Sequence, residues 1–233
     1  NDIYGGNGQL SLSKLREAAP DLRILHISAG DMTTGKSHEV TCSVDLDHKN
    51  GKGFSASGVL MKAQGTSSLE YGLAALNLDL DFSKADWTDQ KGEKLTAFSM
   101  AEGSIPVNYF NIKLNVASSE NANNVCLAEE YNRFNPYRSM PREDNSSIRD
   151  TVEGHPCAVF LTNTGGKTMT VGARTLLPGE TMLYGCGDMN NSKKNFAVFG
   201  QDNSAYPKQC CIEILNNNNA QCRFKSEDLS TET

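Results

Sequence analysis

The chain has 233 residues, 38% of them hydrophobic and 21% charged, which is enough for one large domain or two small ones with a real core. A formal net charge of −6 argues against sequence-independent binding to nucleic acid, which needs clustered Lys and Arg. No apolar run approaches the ~18 residues of a spanning helix, so no membrane partner is expected. Seven cysteines, Cys42, Cys126, Cys157, Cys186, Cys210, Cys211 and Cys222, show no CxxC spacing, and the four histidines do not cluster with them. A zinc site is therefore not expected, and free thiols are.

In chain order, Asn1-Asp2-Ile3-Tyr4 lacks a basic start and an apolar core, so no signal peptide is assigned. The start without Met reads as a piece of a longer polypeptide. Residues 1–10 are Gly- and Asn-rich. Ser11 to Ala19 predicts a short helix, capped by serine and stopped by Pro20. Leu22 to Ile27 alternates as a strand, with His26 as an ordinary strand residue. Glu39 to Leu46 alternates cleanly and puts Val40, Cys42, Val44 and Leu46 on one face. Asn50-Gly51-Lys52-Gly53 reads as a hairpin turn. Phe54 to Lys62 returns as a strand, with Gly58 a bulge.

Lys62 to Tyr71 holds a small polar cluster, Gln64-Gly65-Thr66-Ser67-Ser68, suited to a tight reversal. Leu76 to Phe82 alternates strictly. Asp79 and Asp81 share a face with Asn77, which reads as the wet side of a sheet rather than a metal site. Residues 83–104 are polar and turn-rich, with Trp87 among them. Val107 to Val116 predicts a strand. Ser118 to Phe134 carries serines ahead of an apolar stripe of Leu127, Tyr131 and Phe134, which predicts the main helix. Residues 135–150 read as a charged loop whose arginines are solvated. Further strands are expected at Pro156 to Leu161, Met169 to Val171, Thr181 to Tyr184, Cys211 to Leu215 and Cys222 to Phe224, with turns at Leu177 to Glu180 and Asn216 to Asn219. Gly185 to Lys194 reads as a Gly- and Asn-rich loop.

These elements predict an α+β fold, mostly antiparallel β-sheet with one main helix at about 118–134. Residues 1–21 form an N-terminal extension, 22–225 a single domain and 226–233 a polar tail. The chain is expected to lack a nucleophile elbow, a phosphate loop, a zinc-protease helix and a dinucleotide fingerprint. Cys157, after His155-Pro156, reads as a buried strand residue rather than a nucleophile.

Several blocks, in order, resemble the CotH-like domain family found in tailed-bacteriophage virion proteins. Gln64-Gly65-Thr66-Ser67-Ser68 with Tyr71 and the strand Leu76–Phe82 is similar to the first block of that family. Ile112-Lys113-Leu114-Asn115 through Ala122-Asn123-Asn124 resembles the second, Glu153 to Phe160 the third, and Asn190-Asn191-Ser192-Lys193-Lys194-Asn195-Phe196 the fourth. The resemblance implies a degenerate CotH or kinase-like domain. Active spore-coat members are atypical kinases that bind ATP and divalent metal. Here the family's basic pair reads Leu73 and Ala74, its acid and histidine read Ser118 and Asn121, and a later aspartate reads Ser192. No catalytic residue and no cofactor are therefore expected.

The expectation is a non-catalytic structural or adaptor part of a virion, in a tail, baseplate or fibre. It would be assembled in the host cytoplasm beside other virion proteins, as a homo-oligomer. Two alternatives stand beside it. One is an active kinase using Lys113, Asn115, Asp188, Asn190 and Lys193. The other is a module that binds a host-surface glycan.

Overall fold

The computed structural model describes residues 12–20, 22–48, 52–64, 76–100, 106–114, 126, 154–191, 212–215 and 221–224. The chain divides into two compact units, Asn1–Asn191 and Ser192–Thr233.

In the first unit, helix α1 (Leu12–Ala18) is followed by ten strands: β1 (Arg23–Ala29), β2 (Val40–Asp47), β3 (Phe54–Ala63), β4 (Leu78–Asp81), β5 (Asp86–Asp89), β6 (Tyr109–Leu114), β7 (Gly154–Asn163), β8 (Met169–Val171), β9 (Arg174–Leu176) and β10 (Thr181–Asn191). Strands pair in the order β2-β1-β7-β10-β6-β4-β3, and β3 returns to β2, closing a barrel of seven strands. Strand β5 pairs with the Phe54–Ser57 end of β3, on the side where β4 takes the Leu60–Ala63 end. Among the described residues the pairings are antiparallel except β1 with β7, which run parallel from Arg23↔Cys157 to Ala29↔Asn163. The second unit contributes a two-stranded antiparallel pair, β11 (Ile212–Leu215) and β12 (Gln221–Phe224).

This architecture corrects the expected fold class. The chain is mostly β with a closed barrel, not α+β with one main helix, and so not the kinase-like arrangement that the resemblance implies. Among the described residues the longest helical element is the seven-residue α1. The stretch 118–134 lies outside the described residues except Cys126, a single helical residue. The physical reason for the difference is that the alternating strands are numerous enough to wrap on themselves. Closure removes both sheet edges without a covering helix.

The period-2 pattern fixes which side chains fill the barrel. Val40, Cys42, Val44 and Leu46 of β2 are buried while Thr41, Asp45 and Asp47 are exposed. The register carries this inward face around the wall: Leu25 opposes Leu46, Ile27 opposes Val44, Met61 opposes Leu80, and Leu78 opposes Ile112. At the Gly58 bulge β3 shifts register, pairing Val59 with Cys42 and Ala56 with Val44; Gly58 takes a φ of 73°. One side of the core is aromatic: the Phe54 ring meets Phe82, Trp87 and Phe98 edge-on at centroid distances of 5.4, 5.3 and 5.0 Å.

The outer wall is covered at one place by α1. Leu15 and Leu22 pack with Leu183 against Ile24, Ala158 and Phe160. Arg16 fastens the helix, donating to the Asp47 carboxylate at 2.5 and 3.1 Å and to the Leu22 carbonyl. At the far end of β7, the fully buried Asn163 amide donates to the carbonyls of Lys167 and Leu176 at 2.8 and 2.9 Å, and accepts from Gly165 N–H at 2.8 Å. It ties the β8–β9 hairpin to the barrel.

Three local expectations need correction or fall outside view. The Gly185–Lys194 loop is a strand as far as Asn191, because β10 runs eleven residues through both glycines. A Cβ at Gly187 would collide with the backbone carbonyl of Lys113, so this glycine marks close strand approach rather than a turn. Trp87, in a stretch that reads as turns, lies on β5 and is buried. The turn residues Asn50 and Gly51 lie outside the described residues, as does the turn at 216–219.

A polar strip on the barrel wall as candidate functional site

Residues that alternate with the core on β4, β6 and β10 point out of the barrel, and several are nevertheless buried. On β6, Phe110 and Ile112 face inward while Asn111 and Lys113 lie on the outer wall. The register places Lys113 opposite Asp188 and Asn111 opposite Asn190. Asp188 is 1% exposed and Asn190 5% exposed, although both are polar and lie on this outer face. The Asn190 amide donates to Asp188 Oδ2 at 2.8 Å. Lys113 Nζ donates to Gln64 Oε1. Tyr109 donates to Asp79 Oδ2 at 2.9 Å, and burial first, then the Asp79 carboxylate, push its phenol above the ordinary range.

The base of the Gln64 motif is anchored to this strip. Gln64 N–H donates to Asn77 O at 2.7 Å, and Asn77 Oδ1 accepts from Leu114 N–H at 2.8 Å. Tyr184 OH bonds both backbone groups of Leu76, accepting from the N–H at 2.7 Å and donating to the carbonyl at 2.9 Å. Tyr184 sits where β10 shifts register between Leu183 and Gly185. Arg174 donates to the Leu183 and Tyr184 carbonyls there, at 2.9 and 3.0 Å.

Of the predicted site residues, the structure thus brings together Gln64, Lys113, Asp188 and Asn190, which come from three separate blocks of the sequence. Gly65, Thr66, Ser67, Ser68, Asn115 and Lys193 lie outside the described residues. Tyr184, Arg174, Asn77 and Tyr109 join the strip, and sequence reasoning singles out none of them for it. Nothing near Arg174 in the sequence marks it. Tyr184 ends the predicted strand Thr181–Tyr184, but the bulge that aims it is invisible to alternation.

The donor set does not fit a divalent metal: among the described residues no group of three or more His, Cys, Asp or Glu converges, and the Lys113 ammonium stands opposite Asp188. Gly30-Asp31-Met32-Thr33-Thr34-Gly35-Lys36-Ser37 corrects another expectation, because it does carry the G-x-x-x-x-G-K-S spacing of a phosphate loop. That loop works by aiming free N–H groups at phosphate from a helix N-terminus. Here the segment leads from β1 into β2 with no helix, and several of its amides are engaged internally. Met32 N–H meets Asp31 Oδ1 at 2.7 Å, Thr34 N–H meets His38 Nδ1 at 3.3 Å, and Gly35 N–H meets Thr33 Oγ1 at 3.4 Å. The spacing is met and the geometry is not.

Fold and strip together define a closed β-barrel with a hydrogen-bonded polar band across its β4–β6–β10 wall. Comparison with protein families, curated proteins and solved structures finds no match.

Proposed function

We propose that the protein is a non-catalytic structural or adaptor module, a part of a tailed-phage virion of the kind that its sequence blocks resemble. The observation that supports this reading is the state of the groups that a phosphotransferase would need. Lys113 is bonded to Gln64, Asp188 is bonded by Asn190, and both lie on the wall of a barrel whose inward positions are filled by apolar side chains. Phosphoryl transfer depends on cations and metal-holding carboxylates presented to the nucleotide across a cleft. In this chain the same residue types hold one strand and one loop base to another, which suits a rigid building block. The virion setting rests on the order of the sequence blocks alone.

Two measurements test it. Mass spectrometry of purified virions should find the chain at the copy number of a structural component; its absence from particles would overturn the assignment. Melting of the purified chain should be unchanged by ATP with Mg²⁺ or Mn²⁺. A nucleotide held at ~100 times its dissociation constant would add about 2.7 kcal/mol, and a shift of that size requiring both nucleotide and metal would favour the kinase instead.

A further inference from the structure

A chain of hydrogen bonds links the β8–β9 hairpin to the wall strip. Beginning at the β8–β9 hairpin, Arg174 binds the two carbonyls of the β10 bulge, Leu183 O and Tyr184 O. A bulge leaves backbone groups out of the ladder, and a guanidinium fork is shaped to take two such acceptors at once. With the bulge held, the Tyr184 hydroxyl reaches Leu76 and satisfies both of its backbone groups. Leu76 is followed by Asn77, which takes Gln64 N–H on its carbonyl and Leu114 N–H on its side chain. Gln64 in turn receives the Lys113 ammonium. The links are hydrogen bonds between different segments, joined by the peptide bond from Leu76 to Asn77, and they form a continuous chain from the bulge to Lys113.

We infer that Arg174 and Tyr184 are positioning residues that, through the bulge of β10, hold Gln64 and Lys113 in register on the barrel wall. The inference is independent of the virion assignment, because its test is read at Lys113 itself.

The full-length chain is treated with an amine-acetylating reagent, and labelling rates are followed lysine by lysine by mass spectrometry. Lys94, with 86% side-chain exposure, is the reference for reagent activity, and Lys62, on β3 with its own Glu39 partner, reports on the barrel wall. In Tyr184→Phe, Lys113 should label roughly fivefold faster, as expected from losing about one net hydrogen bond in the chain that holds it. Lys62 and Lys94 should keep their wild-type rates. Arg174→Lys, which keeps the charge but not the fork, should show the same selective rise. Unchanged Lys113 labelling in both variants would overturn the inference. So would a parallel rise at Lys62, which would mean general loosening of the barrel. Failure to find the chain in virions would count against the functional reading and leave the labelling result standing.

Discussion

At the scale of single residues, burial controls the chemistry of the thiols. Cys42 and Cys157 are buried in the barrel, and loss of water pushes both thiols up from 9.0 to about 12; at Cys157 the nearby Asp188 and Cys186 add to this, against a smaller opposing effect of Arg23. The expected strand role of Cys157 is what the structure shows, and such a thiol is a poor nucleophile. A folded-state value above the unfolded one stabilises the fold fully below about pH 9, and that contribution is lost as pH rises from 9 toward 12. Between pH 8 and 10.5 each of these thiols should cost the fold about 2 kcal/mol as the unfolded form ionises. Urea denaturation at the two pH values checks this: Cys157→Ala should lose less stability than wild type by that amount, and identical losses would refute it. The inward faces of the strands are legible in the sequence because alternation is a local property. Val40, Cys42, Val44 and Leu46 are all buried as their spacing requires. The convergence of Gln64, Lys113 and Asp188 is not legible, since it depends on which strands become neighbours across the sheet. Gln64 and Lys113 lie 49 positions apart in the chain.

At the scale of elements, glycine is where the sequence misleads. Gly185 and Gly187 read as punctuation, yet both lie within an eleven-residue strand. They do different jobs. A Cβ on Gly187 would meet the backbone of Lys113 and Leu114, which cannot move without opening the β6–β10 ladder. A Cβ on Gly185 would meet only the end of the Leu114 side chain, at 3.1 Å. Gly187→Ala should therefore cost about 3 kcal/mol, at the upper end of overpacking penalties, and Gly185→Ala roughly 1 kcal/mol. Chemical denaturation of the two variants side by side checks the order; equal costs would mean that the strands can separate at Gly187 freely. The short strand β5 escapes a sequence reading for a different reason. Its four residues, Asp86, Trp87, Thr88 and Asp89, are too few to show a period against the turn residues around them. Only the sheet partner, with Ala56 opposite Trp87, makes them a strand.

At the scale of the whole molecule, closure is the property that no segment announces. Seven alternating strands are compatible with an open sheet, a sandwich or a ring, and the choice lies in pairings between distant parts of the chain. The decisive contacts join β1 to β7, with Arg23 beside Cys157 and Ala29 beside Asn163. Contacts this remote in sequence are slow to form and weakly signalled by local composition. The same remoteness explains why the sequence predicts a main helix: a chain read piece by piece offers no reason for the sheet to cover itself.

The parallel seam has a practical consequence. Strand β1 is bonded along both sides, by β2 and by β7, and α1 is the only element that precedes it among the described residues. The first barrel strand is thus a stave held along both of its edges. A fragment beginning at Gly30 should form a cask with one stave missing, with two raw margins that glue fragments to one another. A synthetic peptide covering residues 12–29 should restore the monomer when added in excess, as followed by light scattering and by the return of a cooperative melt. If the fragment stays monomeric and melts cooperatively without the peptide, the ring is not the unit of stability in this protein.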